Sequence, residues 1–257
     1  MAVPTEIDVA IPTYNSGDVL KGTLDSLACA ERNCDSRIVR IIVIDNQSED
    51  DTEAIVSERT NTYDWDLDFV SESSNLPQAR EMAIDRVTSD WFLFLDDDTR
   101  VRETYLRTLT TTAAPTIGAV QGRKSSRTER NTDWVRRRSR RGGTHATLVR
   151  REAVDGLSYP DDLAVLEDEY TRRYVEDRGY LWVFNHQARF DHANQDRHPI
   201  GWCEGYLGGK YDLSQFHTVA LNVPYALLTR RDPGAHLRRT AGWVVGRAVR
   251  ELSSIGQ

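Results

Sequence analysis

Trp91-Phe92-Leu93-Phe94-Leu95-Asp96-Asp97-Asp98-Thr99 sets five consecutive apolar residues directly against three carboxylates. A continuous apolar run of this length reads as a strand buried on both faces, as in a parallel sheet. Carboxylates are costly to bury, so three at the carboxyl end of such a strand need a purpose. That end is where ligands bind in open α/β sheets. Alternate carboxylates there can hold a hard divalent cation through oxygen, and the cation can hold a diphosphate. The competing reading is a solvated acidic turn.

Around this strand the pattern alternates. Residues 8–12 read as an apolar strand stopped by Pro12, 19–30 as a helix, and 39–44 as a strand ending at Asp45. Residues 51–59 read as helix, 67–70 as a third strand, and 76–87 as the helix leading into the 91–95 strand. Strand–helix alternation predicts an α/β fold with a doubly wound, mostly parallel sheet and helices on both faces. Beyond Arg100 the expected elements are a helix over 104–112, a strand over 117–121, and a polar, Arg-rich loop over 123–143. Order resumes at 148–153. A helix over 166–178 is closed by Gly179, and a strand follows at 180–184. In the tail, Leu237, Ala241, Val244, Val245, Ala248 and Leu252 recur at the spacing of an amphipathic helix, with several Arg between them. Such a helix most often packs against a core.

At 257 residues the chain can bury a sizeable core, as one large domain or one domain with an appendage. A net charge of −7 argues against nucleic acid as the main partner. Cys29, Cys34 and Cys203 fit neither a zinc spacing nor a disulfide framework, so reduced thiols are expected. Residues 1–7 lack the pattern of a signal peptide, and no run reaches the length of a membrane span. A cytoplasmic location is the expectation.

Three strands end in polar groups: Pro12-Thr13-Tyr14-Asn15, Asp45-Asn46-Gln47-Ser48, and Asp96-Asp97-Asp98. Parallel strands end on one sheet edge, so these groups should share one cleft. A lone Asp after a strand is often only a helix N-cap. No G-x-G-x-x-G follows the first strand, which disfavours a dinucleotide site. Residues 205–210 imitate a phosphate-binding loop, but the spacing is wrong and no strong strand precedes them.

These residues together resemble a family-2 inverting glycosyltransferase with the GT-A fold. The matching pieces, in order, are Val9-Ala10-Ile11-Pro12-Thr13-Tyr14-Asn15, then Val43-Ile44-Asp45 with the acidic stretch to Thr52, then Asn75-Leu76-Pro77-Gln78-Ala79-Arg80-Glu81. Phe94-Leu95-Asp96-Asp97-Asp98 resembles the Asp-x-Asp motif, Glu167-Asp168 the Glu-Asp motif, and Ala188-Arg189-Phe190-Asp191-His192 the strand ending in a family His. Pro77-Gln78 departs from the usual Gly-containing loop, and Glu81 stands where Asn is common.

The resemblance implies a GT-A domain over 1–200, with a donor-binding half of about 1–100, an acceptor half of about 101–200, and a helical extension over 201–257 packed on it. It implies a nucleoside-diphosphate sugar donor, contacted by Pro12, Thr13, Tyr14, Asn15, Asp45, Arg80, Asp96 and Asp97. Asp96, Asp98 and His192 would hold Mn²⁺ or Mg²⁺ against the diphosphate, and the ion would neutralise charge on the leaving group. Asp168 would be the base that takes the proton of the acceptor hydroxyl, with Glu167 beside it contacting the acceptor. At a helix start Asp168 would otherwise merely complement the helix dipole. His145, after Gly142-Gly143, falls where family members approach the donor sugar. The acceptor class is a glycan or lipid-linked hydroxyl.

Arg136-Arg137-Arg138 and Arg140-Arg141, with Trp134 beside them, suggest a solvated loop, a gate over the diphosphate, or a grip on an anionic acceptor. With the basic tail they also suit peripheral membrane association. The rival readings are a haloacid-dehalogenase-like phosphatase using Asp96-Asp97-Asp98-Thr99, a nucleotidyltransferase, and an inactive sugar-nucleotide-binding relative.

Overall fold

Strands β1 (Glu6–Thr13), β2 (Arg37–Asp45), β3 (Asp66–Ser71) and β4 (Trp91–Leu95) run parallel in the order β3-β2-β1-β4. Parallel neighbours need crossovers, supplied here by α1 (Gly17–Arg32), α2 (Thr52–Tyr63) and α3 (Leu76–Arg86). The structure is a computed structural model describing residues 4–125, 142–193, 201–228 and 232–255. Past β4 the sheet becomes mixed. It adds β5 (Thr99–Val101), α4 (Tyr105–Thr110), β6 (Ile117–Lys124), β7 (Ala146–Arg150), α5 (Glu167–Asp177) and β8 (Leu181–His192). The full order is β3-β2-β1-β4-β7-β6-β8-β5, with β7 antiparallel to both β4 and β6.

The apolar run of β4 is buried on both faces, as its composition demands. Leu93 and Leu95 join Val9 and Ile11 of β1 and Leu20, Leu24 and Leu27 of α1. Phe92 and Phe94 point the other way, toward Ala79 and Ala83 of α3. Asp8 is fully buried in β1, and its carboxylate accepts bonds from Thr88 N at 2.7 Å and from Ser89 N and Oγ at 3.0 and 3.1 Å. These donors offset its desolvation and tie β1 to the turn before β4.

Three details differ from the sequence reading. Residues 180–184 and 188–192 belong to one strand, β8, which bends through a register shift against β6. The three-residue β5 is added after the acidic triplet. Arg123 and Lys124 continue β6 rather than opening a loop, whereas Trp134 and the Arg136–Arg141 cluster lie outside the described residues. Residues 205–210 are helical, within α6 (Trp202–Lys210), as a helical extension requires.

The tail continues as α7 (Phe216–Ala220), α8 (Asn222–Leu228) and α9 (Pro233–Ile255). Helix α6 joins the core beside α5, where Leu207 and Leu213 pack with Tyr159 and Leu163. Helix α9 lies along α6. Arg239 reaches Glu204 at 2.7 Å, and the Trp243 indole donates to Ser214 O at 2.7 Å. The apolar stripe of α9 does not face this core, contrary to the usual fate of such a helix. Among the described residues, no helix is long and apolar enough to cross a membrane.

Candidate active site

The carboxyl ends of β1, β2 and β4 meet at one edge of the sheet, and hydrogen bonds lock their loops together. The Asn15 N–H donates to Ser48 Oγ at 2.7 Å, the Ser48 hydroxyl donates to Asp45 Oδ1 at 2.5 Å, and Glu49 N donates to Asn15 Oδ1 at 2.8 Å. Asn15 and Gln47 adopt left-handed backbone to make these turns, with φ of 48° and 57°. Asp45 is buried and also accepts from Ser48 N at 2.9 Å and Ser71 Oγ at 2.8 Å. The sequence-assigned donor contacts Asn15 and Asp45 therefore hold the loops in shape. Pro12 and Thr13 are buried beneath them, and Tyr14 is 57% exposed at the rim.

The three consecutive carboxylates go three ways. Asp96 receives Arg80 Nη2 on Oδ1 at 3.0 Å and His145 Nδ1 on Oδ2 at 2.6 Å. Asp97 turns back to the β1 loop, where it accepts from Ser16 Oγ at 2.5 Å, and burial raises its pKa. Asp98 lies against His192, with Oδ1 3.0 Å from Nδ1. A short turn, Thr99 N to Asp96 O at 3.1 Å, fans the side chains apart.

Burial pushes the Asp96 pKa up, but the charges of Arg80, His145 and His192 hold it well below the usual carboxylate range. For His145, burial pulls the pKa down, yet the Asp96 carboxylate and Asp168 beyond it push it up to about 9. The imidazole is a cation at neutral pH. Arg80 is 1% exposed and lies 5.3 Å over the Phe94 ring. Its Nε and Nη1 have no hydrogen-bond partner, and the nearest carboxylate to Nε, Glu167 Oε1, is 3.9 Å away. A buried guanidinium with unsatisfied donors is costly, and its charge favours anions at this edge of the sheet.

Helix α5 brings the second acidic pair to the same place. Leu166, at φ 71°, turns the chain sharply into its first residue, Glu167. Asp168 Oδ1 accepts both the backbone N–H of Thr144, at 3.1 Å, and its hydroxyl. Glu169 accepts from Gly142 N at 2.8 Å. A Cβ on Gly142 would stand 2.3 Å from the Asp168 carbonyl oxygen, so only glycine admits this approach. Residues 142–145 are thereby stitched to α5, and His145 is placed with Nδ1 on Asp96 and Nε2 3.9 Å from Asp168 Oδ2. Burial and the charge of Asp168 outweigh Arg80 and raise the Glu167 pKa to about 7.

Arg80, Asp96, His145, Asp168 and Glu167 thus form one charged circuit at the sheet edge, with Asp98 and His192 adjoining it. Ligand atoms of Asp96, Asp98 and His192 all lie within 4.8 Å of one another. Two carboxylates and an imidazole would suit a Mn²⁺ or Mg²⁺ ion. The sequence reading set His145 near a donor sugar and left it out of the principal site. The structure sets it between the two acidic motifs. Ser16, Ser71 and Thr144 were not foreseen, because single hydroxyls carry no spacing signal.

Comparison with known proteins follows the same outline. The profile of glycosyl transferase family 2 matches residues 8–175. The succinoglycan biosynthesis protein ExoM of Rhizobium meliloti is 32% identical over 167 residues, which is 59% of this chain and 53% of ExoM. The chain thus spans about half the length of that relative. The mannosyltransferase PcManGT of Pyrobaculum calidifontis, solved with GDP-Man and Mn²⁺, superposes with a TM-score of 0.62 at 19% identity, covering 100% of this chain and 77% of that one. Glucosyl-3-phosphoglycerate synthase of Mycobacterium tuberculosis, solved with Mn²⁺, UDP and phosphoglyceric acid, gives 0.55 at 17% identity, covering 75% and 72%. These structural likenesses show the fold, the GT-A arrangement of a mostly parallel sheet between helices, and lend nothing to the phosphatase alternative. Since the matched profile runs from β1 through the acidic triplet and into the helix that carries Asp168, the chain belongs to glycosyl transferase family 2.

Proposed function

We propose that this protein transfers a sugar, with inversion, from a nucleoside-diphosphate sugar to a hydroxyl of a glycan or lipid-linked acceptor. The observation that carries the reading is the pairing of orphaned Arg80 donors with the Asp96, Asp98 and His192 cluster on one side and Asp168 on the other. Asp96, Asp98 and His192 would hold Mn²⁺ or Mg²⁺, which supplies charge neutralisation for the departing diphosphate. Arg80, held on Asp96, adds a fixed, buried cation whose charge draws the diphosphate to the site. Tyr14, exposed on the rim, offers a face for the nucleotide base.

Thr144 occupies one oxygen of Asp168 and leaves Oδ2 to accept the proton of the acceptor hydroxyl. The acceptor oxygen then bonds to the anomeric carbon as the bond to the diphosphate breaks. Removing the attacking proton at the moment of attack is the task of a positioned base. A peripheral encounter with an anionic membrane, aided by the Arg-rich stretch around Arg137 and Arg140, fits a lipid-linked acceptor.

The test is release of nucleoside diphosphate from a panel of nucleotide sugars, with Mn²⁺ or with chelator. Wild-type protein should turn over one of them only with the ion. Asp98→Asn should abolish transfer without lowering the melting temperature. Wild-type rates in that variant would overturn the metal assignment. Cleavage of p-nitrophenyl phosphate with no sugar transfer would overturn the class.

A further inference from the structure

Helices α6 and α9 meet through glycine. A Cβ on Gly205 would stand 1.9 Å from Arg239 O, and on Gly209 2.2 Å from Trp243 O. On Gly242 it would stand 2.4 Å from Trp202 O, and on Gly246 2.0 Å from Tyr206 O. Each helix contributes a pair of glycines four residues apart, and the two backbones touch. In water, helices ordinarily join through their apolar stripes. Here the stripe of α9 is turned away from the joint. Leu237 is 56% exposed, Val244 50% and Leu252 70%, with Ala241, Val245 and Ala248 exposed between them among the described residues. Helix α8, packed against α9, ends in Leu227 and Leu228, exposed by 63% and 85%. Trp202, at the start of α6, is 47% exposed.

Joining by small residues, with large aliphatic side chains directed outward, is how helices pack where lipid covers them. Charge selects the same partner. From residue 201 onward the chain has seven Lys and Arg against four Asp and Glu, a net of +3, whereas the whole chain is −7. An anionic leaflet complements that sequence-level balance.

We infer that the outer face of α9, with the end of α8, is a membrane-docking surface that inserts shallowly into an anionic leaflet. It adds to the peripheral reading a distinct surface and a hydrophobic attachment. Its position suits a lipid-borne acceptor. A Cβ on Gly208 of α6 would be 3.6 Å from Leu166, the residue just before Glu167 and Asp168, and Lys210 is tied to Asp162 at 2.5 Å. The docking unit therefore leans on the loop that launches the proposed base.

The experiment is co-sedimentation of the full chain with vesicles of phosphatidylcholine containing about 30% phosphatidylglycerol, at low salt and at about 0.5 M NaCl, where charge attraction is screened. Wild-type protein should bind at low salt and keep a measurable part of its binding at high salt. Leu237→Glu with Val244→Glu should weaken binding by at least about tenfold. Melting temperature and release of nucleoside diphosphate to a soluble acceptor should not change. Absence of wild-type binding overturns the inference. So does binding that survives the double substitution but vanishes in high salt, which would leave attachment to the Arg-rich stretch and the peripheral reading intact. A light-scattering mass that falls from dimer to monomer in the double variant would assign the stripe to a second copy instead. Loss of nucleotide-sugar turnover in wild-type protein that still binds vesicles would sink the catalytic reading alone.

Discussion

Asp168 is held by one oxygen. Thr144 donates twice to Oδ1, which fixes the carboxylate plane and directs Oδ2 toward His145 and the space beyond. Asp168→Asn preserves this shape and removes the basicity. Turnover should fall by at least about 10²-fold while donor affinity, read by nucleotide titration, stays within about twofold. Preserved turnover with lost donor binding would make the residue structural. His145 yields a second test, on stability. Its folded pKa of about 9 exceeds the free value of 6.5, so its contribution is fully present below pH 6.5 and is lost as pH rises through about 9. Metal-free wild-type protein should lose melting temperature across that window more steeply than His145→Asn. Glu167, raised from 4.5 to about 7, favours the more acidic side as well, and comparison with the variant isolates the imidazole. An equal slope in both proteins would refute the assignment. Carboxylates at strand ends were legible in the sequence because burying charge there demands a reason. Ser71, which also holds Asp45, was not, since a hydroxyl is equally at home on any loop.

The strands and helices of the first hundred residues were readable for a related reason. Residues such as Leu93 and Phe94 point to opposite faces and are both fully buried, so the run must be apolar throughout. β5 has only three residues, too few for a period, and the polar stretch around Asn185 to Gln187 hid the continuity of β8. Glu81, a departure from the family pattern, has a structural task. Its carboxylate accepts from Ser158 Oγ at 2.9 Å and Tyr159 N at 3.0 Å, clamping α3 to the segment ahead of α5. Pro77 and Gln78, the other departure, start that helix: Gln78 forms a reciprocal capping box with Asn75, and Pro77 fills the first turn. Glu81→Ala should cost about 1–2 kcal/mol in urea unfolding, two modest hydrogen bonds' worth. No change in the midpoint would show the clamp to be idle.

At the scale of the whole molecule, the tail was legible as an amphipathic helix but not in its orientation. Spacing defines a stripe without saying which way it faces. Glycine weakens helices by about 1 kcal/mol relative to alanine. Gly205 and Gly209 stand in α6 because the joint with α9 excludes every larger residue. Gly246→Leu would drive a side chain into Tyr206 O and part the two helices along their length. Stability should drop by about 1–3 kcal/mol, and turnover should fall as well, because α6 supports the loop before Asp168. Unchanged kinetics in this variant would separate the tail from the catalytic centre. Exposed helices far from a catalytic centre normally tolerate substitution. In a saturation library scored for sugar transfer, this pair should instead show four intolerant columns, at 205, 209, 242 and 246, standing among permissive neighbours.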